Sequence, residues 1–354
     1  MGCGAPQVLK SKLSYCRPIV RLYPISPEQV KDRQVAVWHL RCQGVSLPVD
    51  LLTSEAPVTT AQKQTYADAP TKVIAAAHGF GYAYRDVGSG AVPLVLLQHF
   101  RGNLDNWDPA LIDALASHRR VITFDNVGVG ATNGTTPNTV EQMAADAISF
   151  LDAIQFDRVD ILGFSIGSFV AQEIALTRPA LVRGLILASS APKGAAGMHG
   201  WAPWVIDAVG KPVPDPVGYL KVFFANSGSS QQAGQQAAQR IFGRTSNLDQ
   251  PTTWQTRQAQ YDAVCAWGIP NHSLLQRLSA IRQPVFIANG DSDPMILPHF
   301  SYLLAGLIPH ARLKVYPDSA HGFLFQHFTE FAADVEEFLG SSDIDSPLDG
   351  GSDE

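Results

Sequence analysis

Short apolar runs recur along the chain between about residue 72 and residue 316, and stretches with a helical period separate many of them. A continuous apolar run of about four to eight residues is typical of a strand buried on both faces of a sheet. Strands that alternate with helices indicate a mostly parallel sheet with helices on both faces. The pattern therefore predicts an α/β fold with strands at 72–75, 81–85, 93–97, 121–124, 159–162, 184–188, 285–288 and 313–316.

Helical periodicity is clearest in three places. One pattern runs from about Val140 to Ile154, and another starts near Ser165. A third repeats phenylalanine and valine at helical spacing over 328–338 and is followed by Gly340, a residue typical of a helix C-terminal cap. These three stretches predict helices that connect or follow strands of the sheet.

The alternation of strands and helices stops between residues 193 and 281. This stretch contains several aromatic residues and helix-compatible segments, and it has no clear strand pattern. Because the strand pattern resumes directly afterwards, the simplest interpretation is a helical lid inserted between two strands of one sheet. A second, independent domain is the alternative. The core of the fold is then expected in two parts, 72–192 and 282–340.

The two ends of the chain have a different composition from the core. Residues 1–71 show no sustained period and are expected to form a poorly ordered extension. The start, Met1-Gly2-Cys3, resembles an acylated terminus, but Pro6 stands where that pattern has Ser or Thr, which argues against acylation. Residues 341–354 carry several acidic side chains and no basic one, which predicts a disordered acidic tail.

Composition excludes several classes of function. The chain has 354 residues, 45% of them hydrophobic, and a formal net charge of −6, which argues against a nucleic-acid partner. No apolar run approaches the roughly 20 residues of a membrane span. The four cysteines show no CxxC spacing, and no cluster of metal ligands is present, so neither a metal nor another cofactor is expected. This cysteine usage favours a reducing compartment and a cytoplasmic location. Nothing in the sequence sets an oligomeric state.

The sequence Gly163-Phe164-Ser165-Ile166-Gly167 stands directly between a predicted strand and a predicted helix. A sharp turn from strand to helix strains the backbone of the serine and presents its hydroxyl above the sheet. Side chains at the two glycines would collide with the neighbouring helix and strand. Ser165 is therefore the predicted nucleophile, since a serine that only capped the helix would leave both glycines unexplained.

A serine nucleophile needs a base. Where the serine lies on a sharp turn between a strand and a helix, here called the elbow, the expected chain order is Ser, then acid, then His. His321 follows the last predicted strand, where an open α/β sheet places its working groups. His327 and His299 are alternatives that fit surface or capping positions better. The expected role of His321 is to take the proton of Ser165 and return it to the leaving group.

The acid is expected on the loop after the strand 285–288. Asp291 and Asp293 both lie on this loop. Asp293 is favoured by its spacing from Gly290, whereas Asp291 could hydrogen-bond the turn. The acid would accept the imidazole N–H of His321 and stabilise the imidazolium that forms.

These motifs and their order resemble those of the α/β-hydrolase superfamily. The resemblance is to its lid-bearing branch, which includes enol-lactonases, cofactor-free haloperoxidase or perhydrolase-type esterases, and carbon–carbon bond hydrolases. It covers about residues 72–340. It rests on Gly163-Phe164-Ser165-Ile166-Gly167, Gly290-Asp291-Ser292-Asp293, Ala320-His321-Gly322, and the stretch from Leu96 to Trp107.

The resemblance implies an oxyanion hole made by the backbone N–H groups of Phe100 and Ile166. Two departures from the family pattern stand out. Gln98-His99 occupies the positions where the family has His-Gly, so His99 either narrows the pocket and hydrogen-bonds substrate or packs beside the loop. The turn after Asp125 begins with Asn126-Val127 and has no arginine, where the family usually has one.

The implied activity is that of a serine hydrolase, since Ser at position 165 disfavours the family's Asp-dependent dehalogenases and epoxide hydrolases. The substrate is expected to be a small apolar ester, lactone or similar carbonyl compound. Carbon–carbon cleavage, lyase or perhydrolase chemistry on the same triad and a non-catalytic ligand receptor are the alternatives. Candidate pocket residues, any of which could instead belong to the core, are His99, Trp201, Trp204, Phe223 and Trp267.

Overall fold

The computed structural model of the chain describes residues 64–212 and 215–345. Eight strands form one sheet, and each of them overlaps a strand that the apolar pattern predicts. The strands are β1 (Lys72–Ala75), β2 (Gly81–Val87), β3 (Leu94–Leu97), β4 (Val121–Phe124), β5 (Val159–Phe164), β6 (Val182–Ala188), β7 (Val285–Gly290) and β8 (Ala311–Tyr316).

Helices fill the connections between strands from β3 onward and follow β8. They are α1 (Pro109–Leu115), α2 (Val140–Ala153), α3 (Ile166–Thr177), α4 (Pro203–Val209), α5 (Pro216–Phe223), α6 (Gly228–Ile241), α7 (Trp254–Trp267), α8 (His272–Leu275), α9 (His299–Leu307), α10 (Phe323–Gln326) and α11 (Phe328–Leu339).

The sheet is mostly parallel, as the sequence predicts. Its strand order is β1-β2-β4-β3-β5-β6-β7-β8. β1 and β2 pair antiparallel to their neighbours, and the other pairings are parallel. Every residue of β3, β4 and β5 is buried, so both faces of the central strands are covered. Burial of one such aliphatic side chain contributes roughly 1.5–3 kcal/mol.

The strand order reverses at β3, which lies between β4 and β5. Ligands of open α/β sheets bind at such a reversal, outside the carboxyl ends of the strands. Leu97 at the end of β3 pairs with Gly163 near the end of β5. The loop after β3 and the turn that holds Ser165 therefore leave the sheet side by side.

Five helices, α4 to α8, lie between β6 and β7. No residue of 189–212 or 215–284 is in a strand. We call residues 193–281 the helical insertion. Its proposed action as a lid remains a prediction.

Both boundaries of the core differ from the sequence-based expectation. Tyr66 lies within the expected extension, yet it is buried, and its hydroxyl donates to Leu104 O at 2.7 Å. Ile344 lies within the expected acidic tail, yet it is buried against Gly184 and Leu339 of the core. A single aromatic or aliphatic anchor has no periodicity, and this is why the pattern misses both. The possible acylation site and residues 346–354 lie outside the described residues.

Gly167 offers a test of how closely α3 approaches the sheet. A Cβ there would collide with the backbone of Leu97 and Gln98, which cannot move without disturbing β3. We expect Gly167→Ala to lower the free energy of unfolding by about 2–3 kcal/mol. Gly306→Ala is the matched control, because a Cβ on this exposed residue of α9 meets nothing within 4 Å. It should be neutral or stabilise by about 0.5–1 kcal/mol. Equal urea midpoints for the two variants would contradict this packing.

Candidate active site

Ser165 lies in a strained turn between β5 and α3. Its backbone has φ +58° and ψ −125°, a region that side-chain-bearing residues rarely occupy. The turn is held because Ser165 N–H donates to Ala188 O of β6 at 2.9 Å. A Cβ at Gly163 would collide with the backbone of Gly167 and Ser168. Both glycines of the motif are therefore required by close backbone contacts.

Three side chains form a continuous hydrogen-bonded chain. His321 Nε2 lies 2.9 Å from Ser165 Oγ, and His321 Nδ1 lies 2.8 Å from Asp293 Oδ2. All three residues are buried, at 1–2% exposure. A carboxylate at Nδ1 favours the tautomer with the proton on Nδ1, which leaves Nε2 free to accept the serine proton. The structure thus brings Ser165, His321 and Asp293 together in the order of a nucleophile, base and acid.

The two competing aspartates have different surroundings. Asp293 Oδ1 accepts the N–H groups of Met295 at 2.8 Å and Ile296 at 3.0 Å, which leaves Oδ2 to face His321. Asp291 is exposed, and its Oδ2 accepts the N–H of Asp318 at 2.9 Å. Asp291 therefore braces the loop that carries His321, while Asp293 contacts the imidazole itself.

The loop that carries His321 must cross from β8 towards β5, past two intervening strands. The helical insertion supports it from above: His321 N–H donates to Val222 O at 3.3 Å, and Gly322 N–H donates to Phe223 O at 2.8 Å. From below, Ser189 Oγ donates to His321 O at 3.2 Å. The position of the base thus depends on the carboxyl end of α5.

We call residues 98–105 the oxyanion loop. Gln98 folds it internally, since its Oε1 accepts His99 N–H at 2.9 Å and its Nε2 donates to Asn103 O at 3.1 Å. Within the described chain, the N–H groups of Phe100 and Ile166 have no acceptor. Ile166 is the first residue of α3, where helical N–H groups have no partner within the helix. Both N–H groups are available to a developing negative charge.

His99 both packs beside the loop and lines the pocket. Its ring makes edge contacts with Phe164 and Phe223, each at a centroid distance of 5.3 Å. Its Nδ1 lies 2.9 Å from Phe100 O, so Nδ1 carries a proton and Nε2, which has no partner, does not. Burial lowers the pKa of His99 to about 4; the bond to Phe100 raises this pKa in part, and the nearby His321 lowers it by a smaller amount. His99 is therefore neutral at physiological pH.

A cavity of about 360 Å³ lies beside His321, between the oxyanion loop and the helical insertion. One part of its wall is aromatic and aliphatic, and the other part is polar. The lining residues are His99, Phe100, Arg101, Asn103, Asp105, Asn106, Ala208, Val209, Asp215, Pro216, Tyr219, Phe223, Phe242, Leu248, Asp249, Pro251, Thr252, Met295 and His321.

Only two of the five candidate pocket residues, His99 and Phe223, belong to this wall. Trp204 points outward and is 48% exposed. Trp267 stacks on Phe169 at 5.0 Å and donates its indole N–H to Ala191 O, so it is part of the core. Trp201 is not a lining residue either, although its ring contacts that of Phe100 at 5.1 Å. These three tryptophans are corrections to the sequence-based expectation.

Several wall residues were not predicted. Arg101 and Asn103 lie on the oxyanion loop itself, and their nearness to Phe100 in sequence was a usable signal. Tyr219, which stacks on Phe223 at 3.9 Å, comes from α5 and had no comparable signal. The orientation of an insertion helix depends on its packing, which the sequence alone does not give.

Residues 64–212 and 215–345 contain no group of three or more His, Cys, Asp or Glu side chains that could hold a metal ion. In the same ranges, no helix is both long and apolar enough to cross a membrane.

The sequence pattern of the alpha/beta hydrolase fold matches residues 92–328. The chain belongs to the α/β hydrolase fold family. The matched range contains the elbow, the oxyanion loop, Asp293 and His321, so the family assignment covers the whole candidate site.

Relatives of this α/β hydrolase carry different names. An alpha/beta hydrolase fold protein from Chitinophaga pinensis is 37% identical, with a TM-score of 0.74 over 78% of this chain and 100% of that one. An enol-lactonase from Burkholderia xenovorans shares the fold at 20% identity and a TM-score of 0.62, over 76% and 100% of the two chains. A putative carbamate hydrolase from Rhizobium rhizogenes is 36% identical over 99 residues, which are 27% of this chain and only 37% of that relative.

The neutral state of His99 predicts a pH dependence of stability. Because the pKa of this histidine is lowered from 6.5 to about 4 in the folded state, its contribution is present above pH 6.5 and is lost as the pH falls towards 4. Full protonation of His99 should lower the free energy of unfolding by about 3 kcal/mol. We expect His99→Phe to flatten the slope of unfolding free energy between these pH values. Replacement of the exposed His118 by Gln is the control and should leave the slope of unfolding free energy against pH unchanged. An unchanged slope in His99→Phe would contradict a buried neutral imidazole.

Proposed function

We propose that this α/β hydrolase cleaves an ester, lactone or similar carbonyl compound through an acyl-enzyme on Ser165. The observation that carries the proposal is the chain of hydrogen bonds from Ser165 Oγ through His321 to Asp293, with spacings of 2.9 and 2.8 Å. A serine hydroxyl becomes a nucleophile when a positioned base accepts its proton. No metal or organic cofactor is needed for this chemistry.

The proposed reaction has two halves. Ser165 Oγ bonds to the carbonyl carbon while its proton moves to His321 Nε2, and the carbonyl oxygen becomes an oxyanion that accepts from Phe100 and Ile166. The oxyanion then collapses, the bond to the leaving oxygen breaks, and His321 gives that oxygen the proton. In the second half, a water molecule attacks the acyl carbon while His321 takes its proton. The bond to Ser165 Oγ then breaks, and His321 returns the proton to this oxygen. Asp293 accepts the imidazolium N–H at Oδ2 and stabilises its charge.

Charges around the cavity favour an uncharged substrate. Arg101 is the one arginine or lysine of the lining set, and its guanidinium already donates to the carbonyls of Lys211 at 2.6 Å, Pro212 at 3.1 Å and Val209 at 3.3 Å. Asp105, Asp215 and Asp249 also line the wall, and the first two are paired with Arg85 and Lys211. A carboxylate on the substrate would therefore have to compete with three carbonyls for the guanidinium of Arg101, of which only Nε has no hydrogen-bond partner. The aromatic wall around Phe223 fits an apolar substituent.

The names of the relatives support the proposed substrate class. Enol-lactonase and carbamate hydrolase both describe attack on a carbonyl carbon bonded to a leaving heteroatom. The fold also hosts other chemistries, so the substrate panel should contain a carbon–carbon bond substrate beside esters and lactones.

Replacement of Ser165 by Ala tests the nucleophile. We expect turnover of an activated ester to fall by about 10⁴- to 10⁶-fold, because the remaining groups can bind and polarise the carbonyl but cannot form the acyl-enzyme. A fluorophosphonate probe should label Ser165 in the unaltered protein, as read by mass spectrometry of the peptide. The exposed Ser279→Ala variant is the control and should keep both turnover and labelling. Unchanged turnover in Ser165→Ala would refute the mechanism. Absence of labelling would favour a ligand receptor.

The charge of the cavity predicts discrimination between esters. We expect kcat/KM for a neutral acyl ester to exceed that for an isosteric ester with a terminal carboxylate by about 10-fold or more, because the buried carboxylate would have to displace carbonyls from Arg101 to gain a partner. The comparison should use one leaving group and one chain length at pH 7. A preference for the carboxylate ester would show that Arg101 is available to substrate, contrary to its three hydrogen bonds.

A further inference from the structure

The segment between α6 and α7 lies directly on the oxyanion loop. We call residues 248–252 the connecting segment. Thr252 Oγ1 donates to Arg101 O at 2.6 Å, and Asn103 Nδ2 donates to Gln250 O at 3.0 Å. Asp249 N–H donates to Asp105 Oδ2 at 2.7 Å. The helical insertion is thus joined to the loop that carries Phe100 by several separate hydrogen bonds.

At the centre of this contact are two carboxyl groups that meet. Asp125 follows β4 and is 1% exposed, and its Oδ1 accepts Leu104 N–H at 2.9 Å. Asp249 Oδ2 accepts the same N–H at 3.3 Å. A Cβ at Gly130 would collide with the Oδ2 atoms of both aspartates, which shows that these atoms converge. Asp125 Oδ2 is buried and has no hydrogen-bond donor within the described residues, so a proton between the two carboxyl groups would satisfy it.

Two carboxyl groups can hydrogen-bond each other only if one of them carries a proton. Burial, then the charge of Asp249, raises the pKa of Asp125 well above its usual range. Arg85 and Arg244 lie near but face Asp105, with N–O distances of 2.5 and 3.7 Å, so they do not neutralise the pair. The charged and titratable groups around the pair are Asp105, Arg85, Arg244 and Tyr66.

We propose that Asp249 is a positioning residue, and that one proton shared by Asp125 and Asp249 fastens the connecting segment to Leu104 and so holds the oxyanion loop in place. Loss of this proton puts two negative charges side by side in a buried site. They repel, the connecting segment separates from the loop, and the N–H of Phe100 is no longer fixed. The effect on turnover rests on the proposed hydrolase function, whereas the coupling of segment to loop does not.

A pH series of variants tests the shared proton. In the unaltered enzyme, kcat should fall as the pH rises through the range in which Asp125 loses its proton. Asp249→Asn supplies an amide donor to Asp125 without a titrating proton, so the profile of this variant should lose the fall. Asp249→Ala should lower kcat by about 10- to 100-fold at every pH, with a smaller change in KM, because a misplaced oxyanion donor acts on the transition state. Asp262→Asn, on an exposed residue of α7, should reproduce the unaltered profile.

Hydrogen exchange at Leu104 gives a readout that does not depend on activity. The protection factor of this N–H should drop in the unaltered protein over the pH range in which the pair ionises, and it should stay constant in Asp249→Asn. The proposal would be overturned if the kcat–pH profiles of the unaltered enzyme and Asp249→Asn were superimposable. It would also be overturned if the protection factor of the Leu104 N–H were independent of pH in both proteins. If Ser165 takes no probe and no ester is turned over, the proposed function fails, while the exchange experiment still decides the coupling.

Discussion

The strained backbone at Ser165 is the constraint on which the rest of the site depends. A positive φ at a residue with a side chain costs roughly 1–3 kcal/mol and persists only where the surroundings enforce it. Here β6 holds the serine N–H, and the close approach of α3 to β5 and β3 leaves no room for side chains at Gly163 and Gly167, respectively. The same turn points Oγ at His321 and frees the N–H of Ile166. One local strain thereby places both the proposed nucleophile and one of the proposed oxyanion donors.

The helical insertion does more than cover the pocket. The end of α5 accepts the N–H groups of His321 and Gly322, and the connecting segment bonds to the oxyanion loop. His321 and the loop that carries Phe100 are thus each held in part by the insertion. A movement of the insertion would therefore change the geometry of the chemistry as well as access to it.

The predictable part of the site is the part tied to strand ends. Ser165, Asp293 and His321 each follow a run of apolar residues that is visible in the sequence, and parallel strands bring such ends to one edge. Trp267 and Trp204 were misjudged because aromatic content does not tell which side of an insertion helix faces the cavity. Tyr66 and Ile344 were missed because one anchoring side chain has no period. The fold was thus predictable from its repeated apolar runs, whereas the pocket wall depends on how the helices of the insertion pack.

The electrostatics of the site explain how a histidine can occupy the position where the family has glycine. The proposed reaction needs a transient imidazolium at His321, and Asp293 is the acid whose Oδ2 contacts this ring. A second cation beside it would oppose that charge. Burial keeps His99 neutral, and its Nδ1–H donates to Phe100 O. The ring therefore fills space beside His321 without adding a charge. The substitution is compatible with catalysis because the ring is buried: an exposed histidine at this position would gain a proton in mild acid and weaken the base beside it.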